Sequence, residues 1–571
     1  MKRLRLGIAS TLALAAFVAL VRLIAPAPAP ADHELLREVY SPRFARVPPP
    51  APAGEVLSRV RTTLQRPEGN AFLRRWVPAQ AGTLCLALLV ALVVGFDFDR
   101  PRHPRNIDLL AAQALGFLFF DILTFAYRLR DPFWLALLWW VFSGIVILNL
   151  LLAARAVWHV RRPLAWDWRP PLHARGLVTV ALLMLLLDVT AAALRAPDDA
   201  GFFVNLGAQR LRERGRLPYG DPLLTGTPGA AYGPLLYVAH LPFQWLVDPQ
   251  PVNRVSSPRP PLGQDSTYYL PAPLATKLCV IAFQVLAAAS LYIAGRRFGS
   301  RETGWALVAL YCGSAFVLGM GGEEYFIGGM TYISHIGPPA VTLAAFAALR
   351  RPGLAGVLLA AAAGCGFYPA FLMPAWAGHY FGRRPVESGR HARRGDLVRF
   401  LAGFIVAGAA IAAFVLLLSR PAAGRGVIGT FLWDTFGHHS DPAGYGASPF
   451  GFWGQRTGVR GWLMRPIAGG SGLASPVMLL FFAFALSCFF LARRRGEQAL
   501  ALLSAAIVIG SNVVKIHSTG TYVAWFYPLL LLGLFLPTTR SASERSVTID
   551  GSACQKGPSP RPSSSAPAPP A

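Results

Sequence analysis

The chain has 571 residues, of which 54% are hydrophobic and 14% are charged. Because soluble domains carry roughly a quarter charged residues, this composition and a mean hydropathy of +0.44 exclude an ordinary soluble enzyme and indicate a membrane protein. The 54 Lys and Arg residues outnumber the 28 Asp and Glu residues, but they interrupt long apolar runs instead of covering one polar face, which indicates membrane topology and argues against nucleic-acid binding.

The first predicted element lies at residues 7–25 and has two interpretations. It is either a retained membrane span or the apolar core of a signal peptide, since Met-Lys-Arg precedes it and Ala-Pro-Ala follows it. Both interpretations export residues 26–78 to the outer side of the membrane.

Further spans are predicted wherever about 17–25 apolar residues supply the length that crosses the hydrocarbon core of a bilayer. They lie at 79–96, 107–127, 133–157, 176–195, 273–295, 304–320, 399–418, 472–492, 497–515 and 522–537. Residues 337–349 form a shorter span. Residues 353–380 fit either one crossing or two short helices with a turn near Phe367-Tyr368-Pro369.

Basic residues choose between these two interpretations, because short loops rich in Arg and Lys stay in the cytoplasm. Only the two-helix interpretation places all basic loops on that side: Lys2, Arg3 and Arg5, the 155–175 stretch, Arg296-Arg297, Arg350-Arg351, the 383–399 stretch and Arg493-Arg494-Arg495. The prediction is an all-α, polytopic transmembrane helical bundle of about 14 spans with both termini in the cytoplasm.

Three regions follow from this layout. Residues 1–170 form an N-terminal membrane region with about four spans and the outer loop 26–78. Residues 171–538 form the main transmembrane core. Residues 539–571 are rich in Ser, Pro and Ala and are predicted to be a disordered cytoplasmic tail.

The first large outer loop of the core, residues 196–272, carries the most informative pattern. It opens with Asp198-Asp199 and continues as an amphipathic stretch to Arg214, which is typical of a helix at the membrane interface. Residues Gly215–Asp221 then read Gly-x-x-Pro-Tyr-x-Asp, and Tyr232-Gly233-Pro234-Leu235 follows. The apolar residues 235–247 are few for a crossing, so they predict a second interfacial helix.

In their order, these motifs resemble the first external loop of polytopic GT-C glycosyltransferases, in particular the polyprenol-phosphate-mannose-dependent alpha-mannosyltransferase-like integral membrane proteins. Residues Ser448 to Gly454 and Tyr522 to Pro528 are similar to stretches in the same group. The resemblance covers about residues 176–537. It implies a GT-C-like core with interfacial helices in the first large outer loop.

A sugar on a polyprenyl phosphate keeps its lipid in the bilayer, so its transfer needs a carboxylate at the mouth of a membrane cavity. The end of the fifth predicted span places Asp199 and Asp198 there. They are candidates for the general base that deprotonates the acceptor hydroxyl in an inverting transfer. The same pair also fits a helix-flanking acidic pair or an N-cap.

Substrate contacts are expected from two sets of residues. The resemblance implies the loop residues Tyr219, Asp221 and Tyr232, of which Asp221 also fits a plain turn. The leaving phosphate is negative and favours cationic partners, for which the outer-facing candidates are Arg456, Arg460, Lys515 and His517.

Three other features keep alternatives open. The participation of a divalent cation is undecided, because His438-His439-Ser440-Asp441 fits a solvated turn better than a metal site. Glu323-Glu324 fit the lining of a cavity or the membrane interface. Asp188 lies inside a predicted span, where ionisable groups are costly and are functional candidates by default.

The leading expectation is a glycosyltransferase of the cytoplasmic membrane with its site on the extracytoplasmic side. It moves a sugar, with mannose as one candidate, from a polyprenyl-phosphate donor to a lipid-linked or cell-envelope glycan or a glycolipid. One alternative is a transporter or flippase of a lipid-linked intermediate, which inverted repeats and charges inside spans would favour. A catalytically inactive envelope-assembly protein is the other, because Gly233 stands where the resembling proteins often have proline.

Overall fold

A computed structural model describes residues 84–116, 132–164, 168, 170–194, 199–222, 224, 228–247, 252–256, 267–270, 273–318, 333–382, 390–437, 475–515 and 520–538. The predicted span at 7–25, the outer loop 26–78 and the tail 539–571 lie outside these residues.

Helices form nearly all of the regular structure in these ranges. In chain order they are α1 (Leu84–Gly95), α2 (Pro104–Gly116), α3 (Pro132–Arg161), α4 (Ala174–Leu194), α5 (Asp199–Arg214), α6 (Pro234–Leu246), α7 (Pro273–Phe298), α8 (Arg301–Cys312), α9 (Ala315–Leu318), α10 (Ile333–Ala347), α11 (Pro352–Gly366), α12 (Met373–Gly382), α13 (Arg390–Leu418), α14 (Val427–Leu432), α15 (Pro476–Ala492), α16 (Glu497–Val514) and α17 (Val523–Phe535). Strands β1 (Val252–Ser256) and β2 (Thr267–Leu270) pair antiparallel, with Val252 opposite Leu270 and Ser256 opposite Thr267.

Within the described residues, 5 helices are long and apolar enough to cross a membrane. Their apolar segments are Val141–Arg161 in α3, Ala174–Ala193 in α4, Leu274–Phe298 in α7, Gly395–Leu418 in α13 and Glu497–Val514 in α16. The helices α1, α10, α11, α15 and α17 are apolar but shorter. The predicted helical, membrane-type character is therefore present, while the count of about 14 crossings stays a prediction.

The predicted span at 304–320 is interrupted in the structure. Helix α8 ends at Cys312, and Gly313 and Ser314 separate it from the short α9. The Ser314 hydroxyl donates to the carbonyl of Tyr311 at 2.7 Å, a local bond that competes with the helical ladder. Apolar composition alone did not reveal this break.

Residues 353–380 form two helices and not one, as the two-helix interpretation predicts, while the crossing of the membrane by each stays a prediction. Helix α11 ends at Gly366, and a 3-10 turn over Tyr368–Leu372 leads into α12. The Tyr380 hydroxyl near the end of α12 donates to the Leu349 carbonyl just before α11 at 2.9 Å. Because the start of α11 and the end of α12 lie close together, the two helices form a hairpin with its turn at Phe367.

Basic turns gather at the end of the bundle where this hairpin opens, which we call the basic end. The Arg297 guanidinium donates to the carbonyl of Ala347, and Arg350 donates to the carbonyl of Arg297 at 3.4 Å. The ring of His379 lies 3.2 Å from the carbonyl of Arg495. The opposite end, which holds the turn at Phe367, is called the site end.

One hydrophobic core joins described residues from both sides of position 170. It includes Phe142 and Ile145 of α3 together with Trp376 of α12 and Phe526 of α17. The Gln113 amide of α2 donates to the Tyr527 hydroxyl at 2.9 Å. A second apolar cluster lies under the site end, around Tyr219, Leu236 and Tyr237.

Candidate functional site

Both helices predicted for the first large outer loop are present, and their position at the membrane interface stays a prediction. Helix α5 begins at Asp199, and α6 covers the second predicted segment. Asp198 and the side chain of Asp199 lie outside the described part of the chain. An acidic residue at a helix N-terminus is stabilised by the positive end of the helix dipole, so this position is favourable for Asp199 in any role.

Two side chains of α7 bracket the segment that carries the aspartates. The Lys277 ammonium donates to the Ala193 carbonyl at 2.8 Å, at the end of α4. The neighbouring Thr276 hydroxyl donates to the Gly201 carbonyl at 3.0 Å, in the first turn of α5. A single helix therefore holds the chain on both sides of Asp198-Asp199.

The turn after α5 is built around Gly220, whose φ is +74°. A Cβ atom at this position would lie 2.1 Å from the Arg420 carbonyl oxygen. The Gly220 amide donates to the Asp434 carboxylate at 2.9 Å, and the Arg420 amide donates to the Tyr219 carbonyl at 3.1 Å. Glycine is thus required both by conformation and by the close approach of the chain after α13.

Tyr219 is fully buried and its hydroxyl is used inside the protein. It donates to the Tyr232 carbonyl at 2.6 Å, which ties the two loop motifs together. The Tyr219 ring lies against the rings of Tyr237 and Phe431, with centroid distances of 6.0 and 4.9 Å. Burial raises the pKa of Tyr219 well above its ordinary value, so the phenol stays neutral.

Asp221 lies between two guanidinium groups of α5. Its carboxylate is 3.8 Å from Arg210 and 3.7 Å from Arg214. Its backbone amide donates to the Pro218 carbonyl at 3.0 Å, which closes the predicted turn. Asp221 therefore links the turn to α5 while its carboxylate is neutralised by neighbouring charge.

Asp434 was not identified from the sequence. It lies in a π-helical turn, Trp433–Gly437, that continues α14, and its side chain is fully buried. Its bond to Gly220 joins residues 214 positions apart. Nothing in the local sequence marks it, because the contact depends on the meeting of two distant loops.

Lys515 follows α16 and lies among aromatic rings. Its ammonium nitrogen is 3.7 Å from the ring centroid of Tyr522 and 5.3 Å from that of Trp525. Trp525 stacks on Tyr368 at 4.3 Å, and the ring of His335 lies 4.6 Å from that of Tyr522. Burial lowers the pKa of Lys515 to about 7.

The turn at Phe367 connects the two halves of the site end. Phe367 has a φ of +55°, a strained value for a residue with a side chain. Its ring lies 5.9 Å from that of Phe431 and 5.0 Å from that of Phe436. Since Phe431 contacts Tyr219 and Tyr368 contacts Trp525, aromatic contacts run from the loop motifs to the lysine cluster.

The structure therefore brings Tyr219, Asp221 and Tyr232 together and adds Asp434 to them. Lys515 lies at the same end of the bundle, with Trp525 and Tyr368 between it and Phe367. Arg456, Arg460 and His517, like Asp198, lie outside the described residues. Among the described residues, no group of three or more His, Cys, Asp or Glu side chains is arranged to hold a metal ion.

These features define a helical protein in which several apolar helices have the length and composition of membrane spans. Comparison of the chain with protein-family models, with curated proteins and with solved structures gives no match.

Proposed function

We propose that the protein is a polytopic membrane glycosyltransferase that takes a sugar from a polyprenyl-phosphate donor at its site end. The observation that carries the proposal is the path from α5 to α6. The helix that begins at Asp199, the buried turn at Tyr219–Asp221 and the second helix follow one another in the order of the motifs that resemble GT-C proteins.

The proposed chemistry is a single displacement. A carboxylate of Asp199, with Asp198 beside it, accepts the proton of the acceptor hydroxyl while that oxygen bonds to the anomeric carbon. The bond between the anomeric carbon and the phosphate oxygen breaks, and the phosphate leaves with the electron pair. Lys515, Arg456 and His517 are the proposed cationic partners of this phosphate.

The remaining loop residues have positioning roles in this proposal. The Tyr219 hydroxyl is hydrogen-bonded to the Tyr232 carbonyl, and the Asp221 carboxylate is paired with Arg210 and Arg214. They therefore support the loop that carries the aspartates, and the half-buried Tyr232 is the loop tyrosine best placed to face a substrate. The donor and acceptor reach the site from the bilayer and from the outer aqueous side of a cell membrane.

An Asp199→Asn variant tests the catalytic assignment. Loss of the base is expected to lower sugar transfer from a polyprenyl-phosphate donor by about 100-fold or more in membranes that contain equal amounts of protein. Asp396→Asn is the matched control, because Asp396 pairs with Arg399 at the basic end. Unchanged transfer by the Asp199 variant would contradict the proposal.

Transport of a lipid-linked intermediate is a second candidate, supported by a buried polar pair inside the bundle. Asp188 of α4 is fully buried, and Gln284 of α7 donates to its carboxylate at 2.9 Å. Both residues lie in helices long enough to cross a membrane, where such groups commonly belong to transport paths. In the same membranes, movement of the lipid-linked sugar without transfer to an acceptor would favour this candidate.

A further inference from the structure

Asn149 connects the N-terminal helices to the lysine cluster of the site end. Its side chain is fully buried on α3. Its amide nitrogen donates to the Gly520 carbonyl at 2.9 Å and to the Ile145 carbonyl of its own helix, also at 2.9 Å. The bond to Gly520 spans 371 positions and comes from a region outside the GT-C resemblance.

Gly520 is closely fitted to α3. Its φ is +79°, and a Cβ atom there would lie 2.9 Å from Cγ2 of Ile145 and 3.1 Å from Nδ2 of Asn149. A side chain at this position would therefore be strained in conformation and would push against α3. Gly520 thus allows the backbone to lie directly on Asn149.

A second asparagine, Asn512 near the end of α16, holds the same turn from the other side. The Gly520 amide donates to the Asn512 carbonyl at 3.0 Å, and the Tyr522 amide donates to the Asn512 side-chain oxygen at 3.3 Å. These bonds set where Tyr522 lies relative to the end of α16. The hydrogen bond from the Asn149 side chain then fixes the orientation of the Gly520 carbonyl.

Because the turn at Gly520 positions Tyr522, it also affects the surroundings of Lys515. The Lys515 ammonium lies over the ring of Tyr522 and near that of Trp525, and the ring of His335 packs against Tyr522. The enclosure of Lys515 therefore depends on the turn at Gly520.

We propose that Asn149 is a positioning residue, which holds the turn at Gly520 so that Tyr522 and Trp525 enclose Lys515 for an anionic phosphate group. The role of the phosphate rests on the proposed function, whereas the enclosure of Lys515 rests on the contacts alone. The N-terminal helices then contribute directly to the geometry of the site.

Competitive acylation of Lys515 in the full-length protein, followed by mass spectrometry across a pH series, tests the enclosure. In the parent protein the labelling midpoint is expected near pH 7. Asn149→Leu removes the donor to Gly520, and Gly520→Ala forces the turn off α3. Both variants are expected to raise the midpoint by at least about one pH unit, which lowers Lys515 reactivity at pH 7 about fivefold or more.

Gln113→Leu is the matched control. Gln113 is also a buried amide of the N-terminal helices, but its partner is the Tyr527 hydroxyl in α17 and not the turn at Gly520. This variant is expected to lose a similar bond without moving the Lys515 midpoint. If Asn149→Leu fails to fold, Gly520→Ala and the milder Asn149→Ser give the same comparison.

Identical midpoints in the parent protein and the folded Asn149 and Gly520 variants, whatever their value, would overturn the proposal. An equal shift in the Gln113 variant would also overturn it, because the effect would then be general loosening of the bundle. A parent protein that transfers no sugar would refute the proposed function while the labelling comparison still decides the role of Asn149.

Discussion

At the scale of single residues, Lys515 shows how burial in a helical bundle can tune the charge of a side chain. A lysine has an ordinary pKa of 10.5, and burial among Tyr522 and Trp525 lowers it to about 7 because the charged form loses hydration. The aromatic faces recover part of this loss through cation–π attraction. The side chain therefore changes charge within the physiological range.

This pKa predicts the pH dependence of donor binding. Lys515 is protonated below its pKa, so the protonated fraction rises from about one tenth at pH 8 to about nine tenths at pH 6. A polyprenyl-phosphate sugar is a phosphodiester with a constant negative charge over this range. Its dissociation constant, measured by equilibrium binding in detergent, is expected to fall about tenfold from pH 8 to pH 6.

Lys515→Met supplies the comparison for this measurement. The variant keeps a long apolar side chain beside Tyr522 but has no titrating group. Because the proposed partner His517 also titrates over this range, both proteins are measured with His517→Gln, and binding by the Lys515→Met variant is then expected to be weak and independent of pH. A parent protein whose affinity does not change with pH, or a variant that keeps the parent's pH dependence, would contradict the role given to Lys515.

At the scale of elements, the sequence predicted most helices and the hairpin of α11 and α12, because apolar length and basic loops act locally along the chain. It also predicted α5, the turn and α6 in order. It did not reveal Asp434 or Asn149 as site residues. Their partners lie 214 and 371 positions away, and only the packing of distant helices brings them together.

The packing of α6 on α11 explains why position 233 holds a glycine and not the proline that the resembling proteins often have. A Cβ atom at Gly233 would lie 2.3 Å from the Gly364 carbonyl oxygen and 2.5 Å from the Cys365 backbone. The neighbouring element is backbone, which cannot move aside as a flexible side chain can. Proline, common at this position in the resembling proteins, would meet the same obstacle.

Gly233→Ala is therefore expected to destabilise the protein by about 1–3 kcal/mol, because it overpacks a contact between two helices. Thermal unfolding in detergent measures the effect as a lower midpoint. Gly408→Ala in α13 is the matched control, since nothing lies within 4 Å of the added atom. Alanine in place of a helical glycine is expected to leave stability unchanged or raise it by about 0.5–1 kcal/mol. Equal midpoints for the Gly233 variant and the parent would show that α6 and α11 can separate freely.

At the scale of the whole molecule, α1–α3 are packed into the bundle. A Cβ atom at Gly95 in α1 would lie 3.0 Å from the Phe535 ring of α17, so the two elements approach closely. Asp108 of α2 pairs with His159 of α3 at 2.7 Å and with Arg155, which binds these two helices to each other. The contacts of Gln113 and Asn149 then attach the pair to α17 and to the turn at Gly520.

Removal of residues 1–170 is consequently expected to prevent folding of the remaining chain. It would expose the faces of α16 and α17 that α1–α3 cover, and it would leave the Gly520 carbonyl without its donor. Size-exclusion chromatography of detergent extracts should show loss of the monodisperse peak, whereas removal of 539–571 should leave that peak and the unfolding midpoint unchanged. Co-expression of 1–170 with 171–571 as separate chains should restore the peak, because the contacts between them are non-covalent. A chain lacking 1–170 that elutes and unfolds like the parent would make position 170 a true domain boundary, and the site would then have to assemble without Asn149.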